Sequence, residues 1–258
     1  MEQITTASGT TVSYDRTGSG DPLLLVHGSF ADHRTNWQLV EPLLAGDFTL
    51  VAVARRGRGS TSATHGHSVA DEALDVVALM AAIDQPVLLL GHSYGAQVAL
   101  AAAAERPDRV RRLVLYEPPW PHLVDAAKVD RLETRARSGD WDGVAGTFLA
   151  TVLGLADAEL AELRGTPLWP SFVADAEASM GDVRALAGYA FRAERFRDLT
   201  LPVLLQVGTA SEPDHWVTDA LAAVLPDVTL EPLPEQGHDA MLTAPELYAR
   251  SVVRFLRA

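Results

Sequence analysis

The chain has 258 residues, 48% hydrophobic and 21% charged, ordinary values for a globular protein built around one large core. A formal net charge of −13 repels phosphate backbones and argues against a nucleic-acid partner. There is no cysteine, which excludes disulfides, thiolate catalysis and cysteine metal sites.

The first ten residues, MEQITTASGT, lack a basic start and an apolar stretch, so no signal peptide is expected. No apolar run approaches the ~18 residues of a membrane span, and the expected location is the cytoplasm. Thr10 to Tyr14 reads as a strand, followed by a Gly/Ser turn and a buried strand, Leu23 to Val26, ending at His27-Gly28. Thr35 to Leu44 has helical spacing, and Phe48 to Val53 is a strand ending in Arg55-Arg56-Gly57-Arg58-Gly59. Ser68 opens a helix whose apolar positions repeat at helical period. The strand Pro86 to Leu90, the helix Ala96 to Glu105 and the strand Arg112 to Tyr116 follow. Such β-α-β alternation implies a mostly parallel sheet flanked by helices.

From Pro118 to Arg195 no strand-like run occurs, only amphipathic helical stretches carrying bulky aromatics. An all-helical insertion after a sheet strand is expected to cover the strand ends, where open α/β sheets hold ligands. Its aromatics make Trp120, Trp141 and Trp169, with Phe30, candidate pocket residues. Alternation resumes with Leu201 to Gly208, a helix Asp214 to Leu225, a strand Val228 to Leu233 and a last helix Pro245 to Leu256.

The most informative segment is Gly91-His92-Ser93-Tyr94-Gly95, placed between a strand and a helix. Glycines on either side of a serine allow a turn too sharp for side chains, which exposes the hydroxyl beside helix N-terminal N–H groups. Ser93 is therefore the candidate nucleophile. A serine hydroxyl needs an adjacent base.

Taken with strand–His27-Gly28, Arg56-Gly57 and the late Gly237-His238, this order resembles the α/β-hydrolase fold over nearly the whole chain. The resemblance implies a core of residues 1–117 and 197–258 and a helical cap of 118–196. It implies His238 as the base, and backbone N–H donors for the oxyanion from Tyr94 and Ser29. Phe30 is the alternative donor if the loop is displaced by one, and the Ser29 hydroxyl is a candidate third donor. The other histidines fall in predicted loops or within the motifs themselves. His27 is expected to fix the oxyanion loop, His92 to point away from Ser93, and His33, His65, His67, His122 and His215 to be solvated. The arginines of the Arg-Gly loop are read as structural rather than anion-binding.

The acid departs from the usual pattern. Three residues beyond Gly208 stands Ser211, not a carboxylate; Glu212 and Asp214 are out of register. Glu117, in Tyr116-Glu117-Pro118-Pro119, ends the preceding strand and resembles the acid placement of zearalenone lactonase-like hydrolases. Glu117 is the favoured acid, with Glu212 and Asp214 as alternatives.

The implied activity is hydrolysis of a small, fairly apolar carboxylic ester or lactone through an acyl-enzyme, without metal or organic cofactor. Alternatives on the same machinery are C–C bond hydrolysis, perhydrolysis with halide oxidation, and a biosynthetic cyclase or lyase step. A non-catalytic small-molecule receptor is a further alternative. The apolar cap is expected to favour medium or aromatic acyl groups over acetate.

Overall fold

The computed structural model describes residues 1–62 and 66–258; His65 lies outside the described residues. Its centre is an eight-stranded sheet of order β1-β2-β4-β3-β5-β6-β7-β8. The strands are β1 (Glu2–Thr5), β2 (Thr11–Gly18), β3 (Asp21–Val26), β4 (Phe48–Ala54), β5 (Val87–His92), β6 (Val110–Tyr116), β7 (Val203–Gly208) and β8 (Val228–Leu233). β1 and β2 run antiparallel to their neighbours, and β4, β3, β5, β6, β7 and β8 pair in parallel.

The central strands are apolar on both faces because helices cover both faces. Alternate side chains go to opposite sides. Leu24, Val26, Leu89, Leu113 and Leu115 join one core cluster, while Leu23, Leu25, Leu88, Leu90 and Val114 join the other. The first cluster packs against α2 (Val69–Ala82) and α3 (Tyr94–Glu105), which lie after α1 (Glu41–Leu44) in the chain. Ser68 caps α2 with a reciprocal Ser68–Asp71 capping box, as its position before the helical pattern predicts.

Between β6 and β7 lie α4 (Ala126–Arg137), α5 (Trp141–Thr151), α6 (Asp157–Arg164), α7 (Trp169–Ala174) and α8 (Ala176–Ala187), with no strand among the described residues. The chain closes with α9 (Thr218–Ala222), α10 (Ala240–Thr243) and the amphipathic α11 (Pro245–Arg257).

Three elements differ from expectation: the helix expected over Asp214 to Leu225 is reduced to α9, Thr218–Ala222, preceded by a single tight turn at Pro213–His215. β1 is too short and polar to show a period, and it forms by pairing Glu2 to Thr5 with Tyr14 to Thr11. Thr35 to Leu44 is helical only over Glu41–Leu44; of the apolar residues in its spacing, Trp37, Val40 and Leu44 are buried and Leu43 is exposed. The preceding turn is held by the Asp32 carboxylate, which accepts from the Arg34 and Thr35 N–H groups. No helix among the described residues is long and apolar enough to cross a membrane.

Candidate active site

Parallel strands place their C-terminal ends at one edge of the sheet, and this edge carries the candidate residues. His27-Gly28 follows β3, Ser93 follows β5, Glu117 follows β6 and His238 lies beyond β8. Ser93 sits at φ 56°, ψ −128°, a strained conformation for a residue with a side chain. The flanking glycines are required by packing. A Cβ on Gly91 would lie 2.6 Å from the Ala96 Cα, and one on Gly95 would collide with the His27 and Val26 carbonyls.

The His238 Nδ1–H donates to Glu117 Oε2 at 2.6 Å. Glu117 is fully buried, and its other oxygen accepts the Gly208 N–H at 2.8 Å. Because β6 lies between β5 and β7, a glutamate at its end reaches the β8–α10 loop past the end of β7. Glu212 and Asp214 are exposed and make no bond to His238 among the described residues. Burial pushes the His238 imidazole down, but the hydrogen bond and charge of Glu117 outweigh it and hold the ring above its ordinary value. His238 and Ser93 line the same cavity, with His238 Nδ1 engaged by Glu117.

The loop after β3 separates the two oxyanion-donor alternatives. The Phe30 N–H donates to Ser179 Oγ of α8 at 2.7 Å, so it is occupied. The Ser29 and Tyr94 N–H groups make no hydrogen bond among the described residues. The Ser29 hydroxyl donates to Asp182 Oδ2 at 2.9 Å and is engaged away from the third-donor role.

The histidines outside this set divide by burial. His27 is buried, bonds the Gly28 carbonyl through Nδ1 and accepts the Arg55 N–H, fixing the loop as expected. Burial, then Arg55 and Arg58, hold it well below its ordinary value, so it is neutral. His92 is closer to the site than expected: its ring packs 4.7 Å from the His238 ring. Its nitrogens lie 3.0 Å from Asn36 Oδ1 and from the His238 carbonyl. His122 is exposed and His215 half-buried, whereas His33 and His67 are buried rather than solvated.

His67 belongs to a buried ionic network that sequence reading missed. Arg55 donates to Glu72 and to Asp182, Arg58 donates to Asp182, and Arg56 pairs with Asp75. The three arginines are thus structural, as expected, each with a carboxylate. His67, Glu72 and Asp182 also offer ligand atoms within 4.8 Å of one another, a metal-like spacing. Arg55 and Arg58 already compensate both carboxylates, so the cluster does not call for a cation.

Burial lowers His67, but its hydrogen bonds to Asp182 and Glu72 win and raise it to about 9. A raised histidine adds stability that is fully present below its unfolded value and lost as pH rises through the folded one. The melting temperature is therefore expected to fall between about pH 6.5 and pH 9. His67→Gln should flatten that slope in a pH series of thermal melts, and an unchanged slope would assign the loss to other groups.

Two cavities adjoin Ser93. The larger is about 40 Å³ of space open to water centres, and its walls include Phe30, Phe148, Ser93 and His238. The smaller is about 20 Å³, bordered by Ser93, Tyr94, Leu186 and Trp216. Of the aromatic pocket candidates, Phe30 lines the larger cavity, while Trp120, Trp141 and Trp169 line neither. Trp141 faces a separate groove near Arg137 and Arg184, and Trp169 donates to Asp142 under the Arg164 guanidinium. Trp120 packs edge-on against Phe191. Phe148 and Phe172 line the larger cavity with Phe30, and Trp216 stacks on His238 at 4.5 Å and 8°. Trp216 stands in a short loop with no motif to mark it, and backbone pairing of residues 118–120 with 215–217 brings it there.

This architecture is the α/β-hydrolase fold, and the sequence agrees: the chain belongs to the alpha/beta hydrolase family, whose model matches residues 23–251. It is 28% identical to 2-(acetamidomethylene)succinate hydrolase of Mesorhizobium japonicum, over 96% of this chain and 92% of that one. A 106-residue stretch, 40% of each chain, is 42% identical to pyrrolizixenacetamide deacetylase of Xenorhabdus hominickii. Among solved structures, an alpha/beta hydrolase from Sphaerobacter thermophilus superposes with a TM-score of 0.86 at 27% identity, covering 99% of this chain and 100% of that one.

Proposed function

We propose that the protein is a serine hydrolase that cleaves a small, apolar carboxylic ester or lactone through an acyl-enzyme on Ser93. Residues 118–196 act as its cap and residues 1–117 with 197–258 as its core. The observation that carries this reading is the 2.6 Å Glu117–His238 hydrogen bond at the wall of the cavity lined by Ser93. Nδ1 donates to the acid, so Nε2 takes the Ser93 proton as Oγ attacks the carbonyl carbon. The oxyanion forms against the Ser29 and Tyr94 N–H groups. His238 then protonates the leaving oxygen, which departs as the alcohol. In the second half, His238 takes a proton from water, hydroxide adds to the acyl carbon, and Ser93 leaves with the proton returned. Glu117 keeps the imidazole in the productive tautomer and stabilises its cation, and the Trp216 face stacked on the ring adds to that.

The cavities fit a smaller acyl group than the aromatic content of the cap suggests. A volume of about 20 Å³ holds little more than one water. Lengthening the acyl chain must displace Leu186, Val152 or Trp216, and forcing extra methylenes into a packed wall costs about 1–3 kcal/mol. The specificity constant for p-nitrophenyl esters is therefore expected to fall about tenfold or more from acetate to octanoate. A rise with chain length would show that the cap opens to admit longer chains.

A second reading, cleavage of a small acyl amide, is favoured by the names of two relatives, both built on an acetamido group. Turnover of p-nitroacetanilide faster than p-nitrophenyl acetate would select it over the ester.

A further inference from the structure

The loop that carries the Ser29 donor is held from both sides. From the core, Asn36 Oδ1 accepts the Gly28 N–H at 3.0 Å, and Arg55 Nη2 donates to the Gly28 carbonyl at 2.9 Å. From α8 of the cap, Ser179 Oγ accepts the Phe30 N–H at 2.7 Å and Asp182 Oδ2 accepts the Ser29 hydroxyl at 2.9 Å. Ser179 and Asp182 stand three residues apart, on one face of the helix. Arg58 Nη2 donates to both of them at 2.8 Å, so one guanidinium sets the spacing of the two acceptors.

These side chains are buried, with Ser179 fully enclosed, Asp182 1% exposed and Arg58 3% exposed. No solvent competes for the bonds, and losing one acceptor leaves a buried donor unmatched. The loop also needs holding. Phe30 lies at φ 55°, a region that residues with a Cβ occupy only under constraint. The residue that relaxes if that constraint is lost is the neighbour of the donor itself. A plain anchor for α8 would need only the arginine contacts; two of the bonds go instead to the backbone of Phe30 and the hydroxyl of Ser29.

We infer that Ser179 and Asp182 are positioning residues that hold the Ser29 N–H in place for the oxyanion, so that the hole is complete only while α8 is seated on the core. This rests on the serine-hydrolase reading above. The cap then does more than cover substrate: when α8 lifts, the oxyanion loop loses two of its tethers, and attack on a carbonyl slows until the cap returns.

The test is Ser179→Ala, which removes one oxygen and no charge. Readouts are the rate at which a fluorophosphonate labels Ser93, kcat and KM on p-nitrophenyl acetate, and inhibition by a trifluoromethyl ketone, which forms an oxyanion adduct. The labelling rate, kcat and ketone affinity are expected to fall together by about 10- to 100-fold, less than for outright removal of a donor. KM should stay within about twofold, because the carbonyl of the bound ester is not yet charged. The acid limb of the pH profile should not move, since His238 and Glu117 are untouched. A packing role alone predicts a lower melting temperature with unchanged kcat and ketone affinity, and that result overturns the inference. If Ser179→Ala does not fold, Ser29→Ala reads the same point: it keeps the N–H and removes the Asp182 tether, and unchanged ketone affinity there also overturns it. Wild-type labelling is the control that separates the two readings. An unlabelled wild-type enzyme sinks the serine-hydrolase reading itself, whereas a labelled wild type with an equally reactive Ser179→Ala sinks only the inference.

Discussion

Ser93→Ala is expected to abolish measurable ester turnover, with kcat lower by about 10⁴- to 10⁶-fold, and to abolish covalent labelling by a fluorophosphonate. The size follows from what the substitution removes. Without Oγ there is no acyl-enzyme, so His238 must activate water against an ester placed for attack by serine. The residual rate comes from the oxyanion donors and from binding alone, which leave about 10³- to 10⁴-fold over water in the serine protease case. Stability should move little, because alanine keeps the Cβ at the same positive φ and so neither adds nor relieves backbone strain. Mass spectrometry of the labelled wild-type protein checks the assignment directly. A label on another serine, or an alanine variant with ordinary turnover, removes Ser93 from the mechanism.

Glu117→Gln is expected to keep the fold and lose about 10²- to 10⁴-fold in kcat. The amide retains a carbonyl for one of the two bonds that Glu117 accepts, from His238 Nδ1 and from the Gly208 N–H. Its NH₂ group faces the other donor, so either the imidazole turns to the wrong tautomer or the Gly208 N–H is left unmatched. In both cases the negative charge that stabilises the imidazolium in the transition state is gone. The pH profile supplies an independent sign. Glu117 raises His238 against the opposing effect of burial, so its neutralisation lowers the histidine's value. The base must be neutral to act, and the acid limb of kcat/KM therefore moves to lower pH in the variant. Glu212→Gln and Asp214→Asn are the controls, expected to change kcat by no more than about twofold because both side chains are exposed. Near-normal kcat in Glu117→Gln beside a collapsed control would return the acid to the end of β7.

The two results depend on features of different legibility. Ser93 is readable because its conformation is set by neighbours in the chain: the strand before it, the helix after it and a glycine on each side. His238 is readable by its place after the last strand together with the family resemblance. Strand adjacency favours Glu117 with Glu212 and Asp214 as alternatives, and it is the sheet order, with β6 between β5 and β7, that brings Glu117 to His238 Nδ1. The aromatic richness of 118–196 points to a lined pocket, and Phe148 and Phe172 do line the larger cavity, but Trp120, Trp141 and Trp169 go to helix packing and side grooves. An aromatic on a helix covers whatever that helix faces, and helical spacing does not say which face meets the site.

What the residues determine unaided are the short-range features: the apolar runs that become doubly covered strands, the Ser68 capping box, the tight turn at Ser93 and the strandless stretch between β6 and β7. Each depends on residues within a few positions of one another, where sterics and local hydrogen bonds decide. Tertiary structure alone decided the partners of the buried charges. Arg55 meets Asp182 across 127 residues, Ser29 meets Asp182 across 153, and Phe30 meets Ser179 across 149. A charged or polar side chain reads as surface until its partner is known, because burial without one is costly and nothing in its neighbourhood names the partner. The oxyanion loop is the sharpest instance. Its local sequence names Ser29 as the donor with Phe30 as the alternative, and a serine on a distant helix takes the Phe30 N–H, while that of Ser29 has no partner among the described residues.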